Sequence, residues 1–210
     1  MLDTYVGRQS GGRVLEGQIQ RGSGETIRAV IWLCDLRGFT NLSEQLPRDE
    51  LIDLLNSYFG PMCDAVAKEG GEVLKFIGDA MLAIFPVGAD AVTTCRAALS
   101  AAEQAQDALA QENARRDHAS HPRIDYGLAL HVGDVMYGNI GSDTRLDFTV
   151  IGPAVNLTAR IESMCRQLGR QLLLSADFVA AGRIAAQSLG AHALKGVGAD
   201  QEIFAPTPPT

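Results

Sequence analysis

Residues 72–85, EVLKFIGDAMLAIF, constrain the fold more tightly than any other stretch of the chain. Two short apolar runs, Glu72–Ile77 and Ala80–Phe85, are separated only by Gly78-Asp79. A two-residue connection with glycine first suits a tight β-hairpin, so the two runs are predicted to pair antiparallel. Alternation along the first run places Lys75 on the face of Val73 and Ile77, opposite Leu74 and Phe76.

Helices and strands then mix around this hairpin without strict alternation. Ile27–Leu36 is a β-branched, apolar run expected to form a buried strand. Pro47 opens an amphipathic helix with Leu51, Leu54, Leu55, Tyr58 and Met62 at helical spacing, and Gly70-Gly71 ends it. Residues 89–113 are alanine-rich and predict a second helix. Strands are expected over 123–132, 134–137 and 146–151, and a helix after Gly152 with Pro153 in its first turn. QLLLS, ADFVAAG and two further runs read as strand, short helix and two strands. The pattern is α+β, with a largely antiparallel sheet and helices packed on one face. The folded unit is expected over 26–204, preceded by a Gly/Ser/Arg-rich lead-in at 1–25 and followed by a loose tail, APTPPT, at 205–210.

Composition excludes several classes of function. The 210 residues carry a formal net charge of -7, which argues against a duplex nucleic acid partner. No apolar run approaches the roughly 20 residues that span a bilayer. The four cysteines form no CxxC pair and sit among apolar neighbours, as reduced thiols in the cytoplasm would. The histidines show no HxxxH spacing for zinc.

A few polar side chains stand out against this background. Asp35 ends an apolar strand, where the following backbone N–H groups can face a phosphate. Asp79 lies at the hairpin tip, and two carboxylates at strand ends suit a pair of divalent cations. On the helix after Gly152, Asn156 and Arg160 are four residues apart and share a face, while Leu157, Ile161, Met164 and Leu168 form an apolar stripe. Glu162 and Arg166 read as a solvated pair on that helix. Each signal alone has an ordinary structural explanation: a turn residue, a cap, or a snorkelling lysine at Lys75.

Together they form a pattern. AVIWLCDLRGFT, GGEVLKFIGDAMLAIF, LHVGDVMYGNIG, LDFTVIGPAVNLTARIE and LKGVG, in this order and spacing, resemble the class III nucleotide cyclases. The version with Thr149 resembles a bacterial adenylate cyclase branch in which Thr replaces a more usual Asp. The resemblance implies a ferredoxin-like (palm-type) cyclase homology domain that converts ATP to cyclic AMP. It implies Asp35, Leu36 and Asp79 as the site of two metal ions, Mg²⁺ or Mn²⁺, and Lys75 and Thr149 as readers of the adenine edge. Asn156 would orient the ribose and Arg160 would stabilise the transition state. Phe39, Thr40 and Lys195 would bind substrate, Lys195 at the triphosphate. It further implies a homodimer with two intersubunit sites, and a regulatory domain ahead of this segment in the full-length protein. A diguanylate cyclase fits poorly, since no GG[DE]EF turn is present. A catalytically silent homologue serving as a dimerisation or sensor module would have lost a metal-binding Asp or the Arg, and none is lost.

Overall fold

The structure, a computed structural model, describes residues 24–142 and 144–207. Most of the lead-in and residues 208–210 of the tail lie outside the described residues. In chain order the elements are β1 (Gly24–Leu36), α1 (Phe39–Gln45), α2 (Arg48–Lys68), β2 (Glu72–Ile77), β3 (Ala80–Pro86) and α3 (Ala91–His118). They continue with β4 (Tyr126–Ser142), β5 (Arg145–Ile151), α4 (Pro153–Gln167), β6 (Leu172–Ser175), α5 (Ala176–Gly182), β7 (Ala186–His192) and β8 (Gln201–Pro206).

The sheet runs β2-β3-β1-β4-β6-β8-β7, with β5 attached to β4. Every neighbouring pair is antiparallel except β4 with β6. This is the α+β, mainly antiparallel architecture read from the sequence. The hairpin is in register as expected, with Ile77 opposite Ala80 and Gly78 at φ 65°, a conformation glycine adopts without strain.

One face of the sheet carries the larger core. Val30, Trp32 and Cys34 of β1, with Met81, Ala83 and Phe85 of β3, pack against α2, α3 and α5 through Tyr58, Met62, Ala98, Ala102 and Phe178. The one-face expectation holds for these helices, and α4 departs from it. Its apolar stripe lies on the opposite face, where Ile161 and Cys165 are buried against Ala129, Leu173 and Ile203. Each large aliphatic side chain seated in this way contributes roughly 1.5–3 kcal/mol relative to exposure.

The elements differ from the sequence reading at several points. Gly133 is expected to divide two strands, yet β4 runs through it with Gly133 opposite Ala29. The glycine serves packing rather than a turn: a Cβ there would lie 2.7 Å from the Cβ of Ala154 in the first turn of α4. At the other end, Ala205 and Pro206 belong to β8, paired with Gln187 and Ala186, instead of opening a loose tail. A proline is tolerated there because it closes the strand, and the next donor, Thr207 N–H, reaches Ala185 O at 3.3 Å. Finally, a bulge between Val73 and Lys75 breaks the alternation assumed for β2.

Gly133→Ala is expected to displace α4 and lower the melting temperature by roughly 3–8 °C, the cost of overpacking a close contact. Thermal denaturation followed by circular dichroism checks this. An unchanged melting temperature would mean that α4 does not rest on Gly133.

Candidate active site

Asp35 is the penultimate residue of β1, and its cross-strand neighbours are Ala80 on β3 and Gly127 on β4. Cross-strand partners point to the same side, so two small residues leave open space over the Asp35 carboxylate. Asp79, one residue before Ala80 at the hairpin tip, lies close enough for its carboxylate to act on that of Asp35. Burial, and after it the Asp79 charge, push Asp35 up to about 6. Its Oδ1 is buried without a hydrogen-bond partner.

Two adjoining carboxylates and an orphaned buried oxygen fit a divalent cation, which would remove the repulsion and complete the coordination. Among the described residues no cluster of three or more side chains is arranged to hold a metal alone. Substrate oxygens would have to supply further ligands. Leu36, next to Asp35, is buried, and Phe39 and Thr40 open α1 just beyond Gly38, whose φ is 72°. The first N–H groups of any helix lack intrahelical partners.

A third carboxylate was missed in the sequence. Glu162, read there as part of a solvated pair, lies over Gly127, where a Cβ would overlap its Oε1. Burial first, then the Asp35 charge, raise it to about 7, with Arg37 pulling the other way. Glu162 and Arg160 are two residues apart, so they leave α4 on nearly opposite sides. The signal available in the sequence was Gly127, a glycine in an otherwise apolar strand that reports a close approach.

Arg160 faces a separate cleft of about 950 Å³ between α4, β4 and the loop joining β7 to β8. Asn156, Arg160 and Lys195 line it together with Arg28 and His131, so three of the expected site residues converge. His131 is buried, its Nδ1 2.8 Å from Ser175 Oγ, and burial lowers its pKa, favouring the neutral ring. Neither Asp35 nor Asp79 lines this cleft, and neither do Lys75 and Thr149.

Lys75 occupies a third place. The bulge in β2 sets Val73 opposite Ala83 but Lys75 opposite Leu82. Ala83 belongs to the helix-covered core and Leu82 to the other, so Lys75 lies on the face opposite Val73, contrary to simple alternation. Its Nζ meets Asp147 Oδ2 on β5 at 2.6 Å. Thr149, two residues along β5, is buried and its Oγ1 has no hydrogen-bond partner.

The family model for the adenylate and guanylate cyclase catalytic domain matches residues 24–204. The chain belongs to this family. An adenylate cyclase of Anabaena cylindrica is 39% identical over 165 residues, which cover 77% of this chain and 32% of that protein. The chain thus spans about a third of that relative's length. Among solved structures, the adenylyl cyclase CyaB from P. aeruginosa superposes with a TM-score of 0.81 at 27% identity, covering 90% of this chain and 97% of that one. The guanylyl cyclase Cya2 gives 0.76 at 31% identity, with 86% and 92% covered. The fold is therefore that of cyclase domains, and relatives named for either purine nucleotide lie at similar distance. All four cysteines of this cyclase domain are free thiols, and among the described residues no helix is long and apolar enough to cross a membrane.

The raised Asp35 value carries a testable sign. Between about pH 4, the ordinary carboxylate range, and about 6, the folded chain keeps a proton that the unfolded chain has lost. Stability contributed by this group therefore falls as pH rises through that window and stays lower above it. Without divalent metal, Asp35→Asn should melt roughly 2–4 °C above wild type at pH 8, of order 1 kcal/mol after solvent screening, and not at pH 4. Mg²⁺ or Mn²⁺ should raise the melting temperature of wild type more than that of the variant. A wild type that melts no lower than the variant at pH 8 would contradict the carboxylate repulsion.

Proposed function

We propose that this domain is an adenylate cyclase that converts ATP to 3′,5′-cyclic AMP and pyrophosphate, at two sites shared between the subunits of a homodimer. The observation that carries the reading is the division of the site residues. Asp35 and Asp79 form one group, while Asn156, Arg160 and Lys195 share a cleft that includes neither carboxylate. A nucleotide needs both groups, and a two-fold dimer can face one group of each chain with the other group of its partner.

Exposed apolar side chains support the association. Phe76 and Ile77 near the hairpin tip are 52% and 54% exposed, and the cross-strand neighbours Met136 and Ile151 are 51% and 45% exposed. Large apolar groups left in solvent on one molecule mark candidate interaction surfaces.

In the reaction the ribose 3′-oxygen bonds to the α-phosphorus, the bond to the β-phosphate oxygen breaks, and the hydroxyl proton leaves to solvent. When bound at Asp35, Leu36 and Asp79, two divalent cations supply acidity for the hydroxyl and neutralise the triphosphate. Arg160, permanently charged and with several donors, stabilises charge gathering on the α-phosphoryl oxygens. Asn156, one turn earlier on the same face of α4, orients the ribose. Lys195 holds the triphosphate across the cleft, and Phe39 and Thr40 offer main-chain N–H groups to it. Lys75 donates to adenine N1, an acceptor in adenine but a donor in guanine, and Thr149 Oγ1 accepts from the exocyclic amine.

Purified protein with ATP or GTP and Mg²⁺ or Mn²⁺ should yield cyclic AMP from ATP and little cyclic GMP on chromatography. Asp35→Ala and Arg160→Ala should each be nearly inactive as homodimers. Mixed in equal amounts with exchange confirmed, they should recover about a quarter of wild-type activity, because half the dimers are mixed and each has one intact site. Absence of recovery would overturn the shared site.

A further inference from the structure

We propose that a second cleft, between α2 and the end of α3, binds a small zwitterion of the amino-acid class, with Arg116 taking its carboxylate and Asp53 its ammonium group. The site stands apart from the nucleotide reading and shares no residue with the cleft of Arg160.

The cleft has a volume of about 570 Å³, within the range of small-molecule sites. Arg116 lines it, with a side chain only 7% exposed. Its Nε donates to Pro122 O at 2.6 Å, while Nη1 lies 4.0 Å from Glu112 Oε1, too far for a hydrogen bond. Neither Nη nitrogen donates to another described residue. Glu112 is itself engaged by Arg115 Nη2 at 2.6 Å. The remaining N–H groups of a largely buried guanidinium thus lack a protein acceptor, and leaving such donors unmet is unfavourable. A carboxylate accepts from both Nη groups side by side, the geometry a guanidinium favours.

The arginine is held in place before any ligand arrives. Asn113 Nδ2 donates to Ile124 O at 2.9 Å, and Asn113 Oδ1 accepts from the Ile124 N–H at 2.7 Å. Arg123 meets Asp117 at 2.6 Å, so the segment after α3 is fastened back onto that helix. The other wall comes from α2, where Asp53, Asn56 and Ser57 are spaced three and four residues apart and share a face. The Asp53 side chain has no ion-pair or hydrogen-bond partner among the described residues. Formal charges on the lining cancel, Arg115 and Arg116 against Asp53 and Glu112. A lone anion or cation therefore gains little from the cleft as a whole. A molecule carrying both signs meets a complementary group for each. The Asn56 amide and Ser57 hydroxyl can each donate or accept, which suits whatever polar atoms remain.

The test titrates the full chain with L-alanine, read by proton–nitrogen NMR and by thermal melting, with acetate and methylammonium as probes of a single charge. L-alanine should shift the amide signals of residues 53–57 and 112–121 and reach saturation. At about ten times its Kd it should raise the melting temperature by roughly 3–6 °C. Acetate and methylammonium should each bind at least about 10-fold more weakly, for want of the second contact. Arg116→Lys keeps the charge and loses the fork, and Asp53→Asn keeps the shape and loses the charge. Each should weaken L-alanine binding by about 10-fold or more. Absence of a saturable shift overturns the site, as do shifts confined to residues 153–160 and 195–198, which line the other cleft. Acetate binding as tightly as L-alanine overturns the zwitterion as the ligand class. Both variants binding L-alanine as wild type does overturns the roles of Arg116 and Asp53. Should Arg116→Lys fail to fold, Asp53→Asn, on an exposed position, decides the outcome. No arm depends on cyclase activity, so the result stands whichever nucleotide the domain converts.

Discussion

Asp35 and Asp79 are held near one another at one end of the sheet, and two like charges at close range are unfavourable until something positive lies between them. The surrounding structure keeps that arrangement from relaxing. β1 is hydrogen-bonded along most of its length to β3 on one side and β4 on the other, so Asp35 has no freedom to withdraw. The tight turn at Gly78 returns the chain directly into β3, which fixes Asp79 beside it. Small residues at Ala80 and Gly127 keep the space above Asp35 open, and Glu162 closes one side of it with a further carboxylate. A cation bound there gains from every one of these constraints, because the work of bringing the charges together is done during folding.

The same economy governs α4. Its apolar stripe fixes the helix on the sheet face away from α2 and α3. Once that stripe is seated, Arg160 and Asn156 can only look into the cleft beside Lys195, and Glu162 can only look toward Asp35. One helix thus addresses two different places, and the β2–β3 hairpin does likewise with Lys75 and Asp79. In the proposed dimer each of these elements serves two active sites at once. A shift in the hairpin or in α4 would therefore be felt at both.

Much of this was legible in the sequence because it depends on local rules. The hairpin followed from two apolar runs and a Gly-Asp link, and the stripe on α4 from its helical period. Free, mostly buried cysteines followed from their apolar neighbours. What escaped depends on contacts between distant segments. Gly133 looked like a strand break because a glycine's local meaning is conformational, whereas its role here is to admit Ala154. The bulge that turns Lys75 to the other face adds one residue to β2, and no local pattern announces it. Glu162 reads as a surface residue in the sequence because its partners, Asp35 and Gly127, lie far away in the chain. Ala205 and Pro206 read as tail because proline argues against a strand, and the argument fails at a strand's last position.

The net charge of -7 bears on how two copies would meet in the proposed dimer. Acidic molecules repel one another at long range, a repulsion that salt screens beyond roughly 10 Å. Attraction must then come from short-range burial, for which Phe76, Ile77, Met136 and Ile151 stand exposed. Phe76 and Ile77 lie between Lys75 and Asp79 in the chain, and Ile151 lies two residues beyond Thr149. The apolar groups available for association are thus interleaved with the groups proposed to bind nucleotide. A partner seated on them would exclude water where Lys75 meets Asp147, and a hydrogen bond made there would count for more than in solvent.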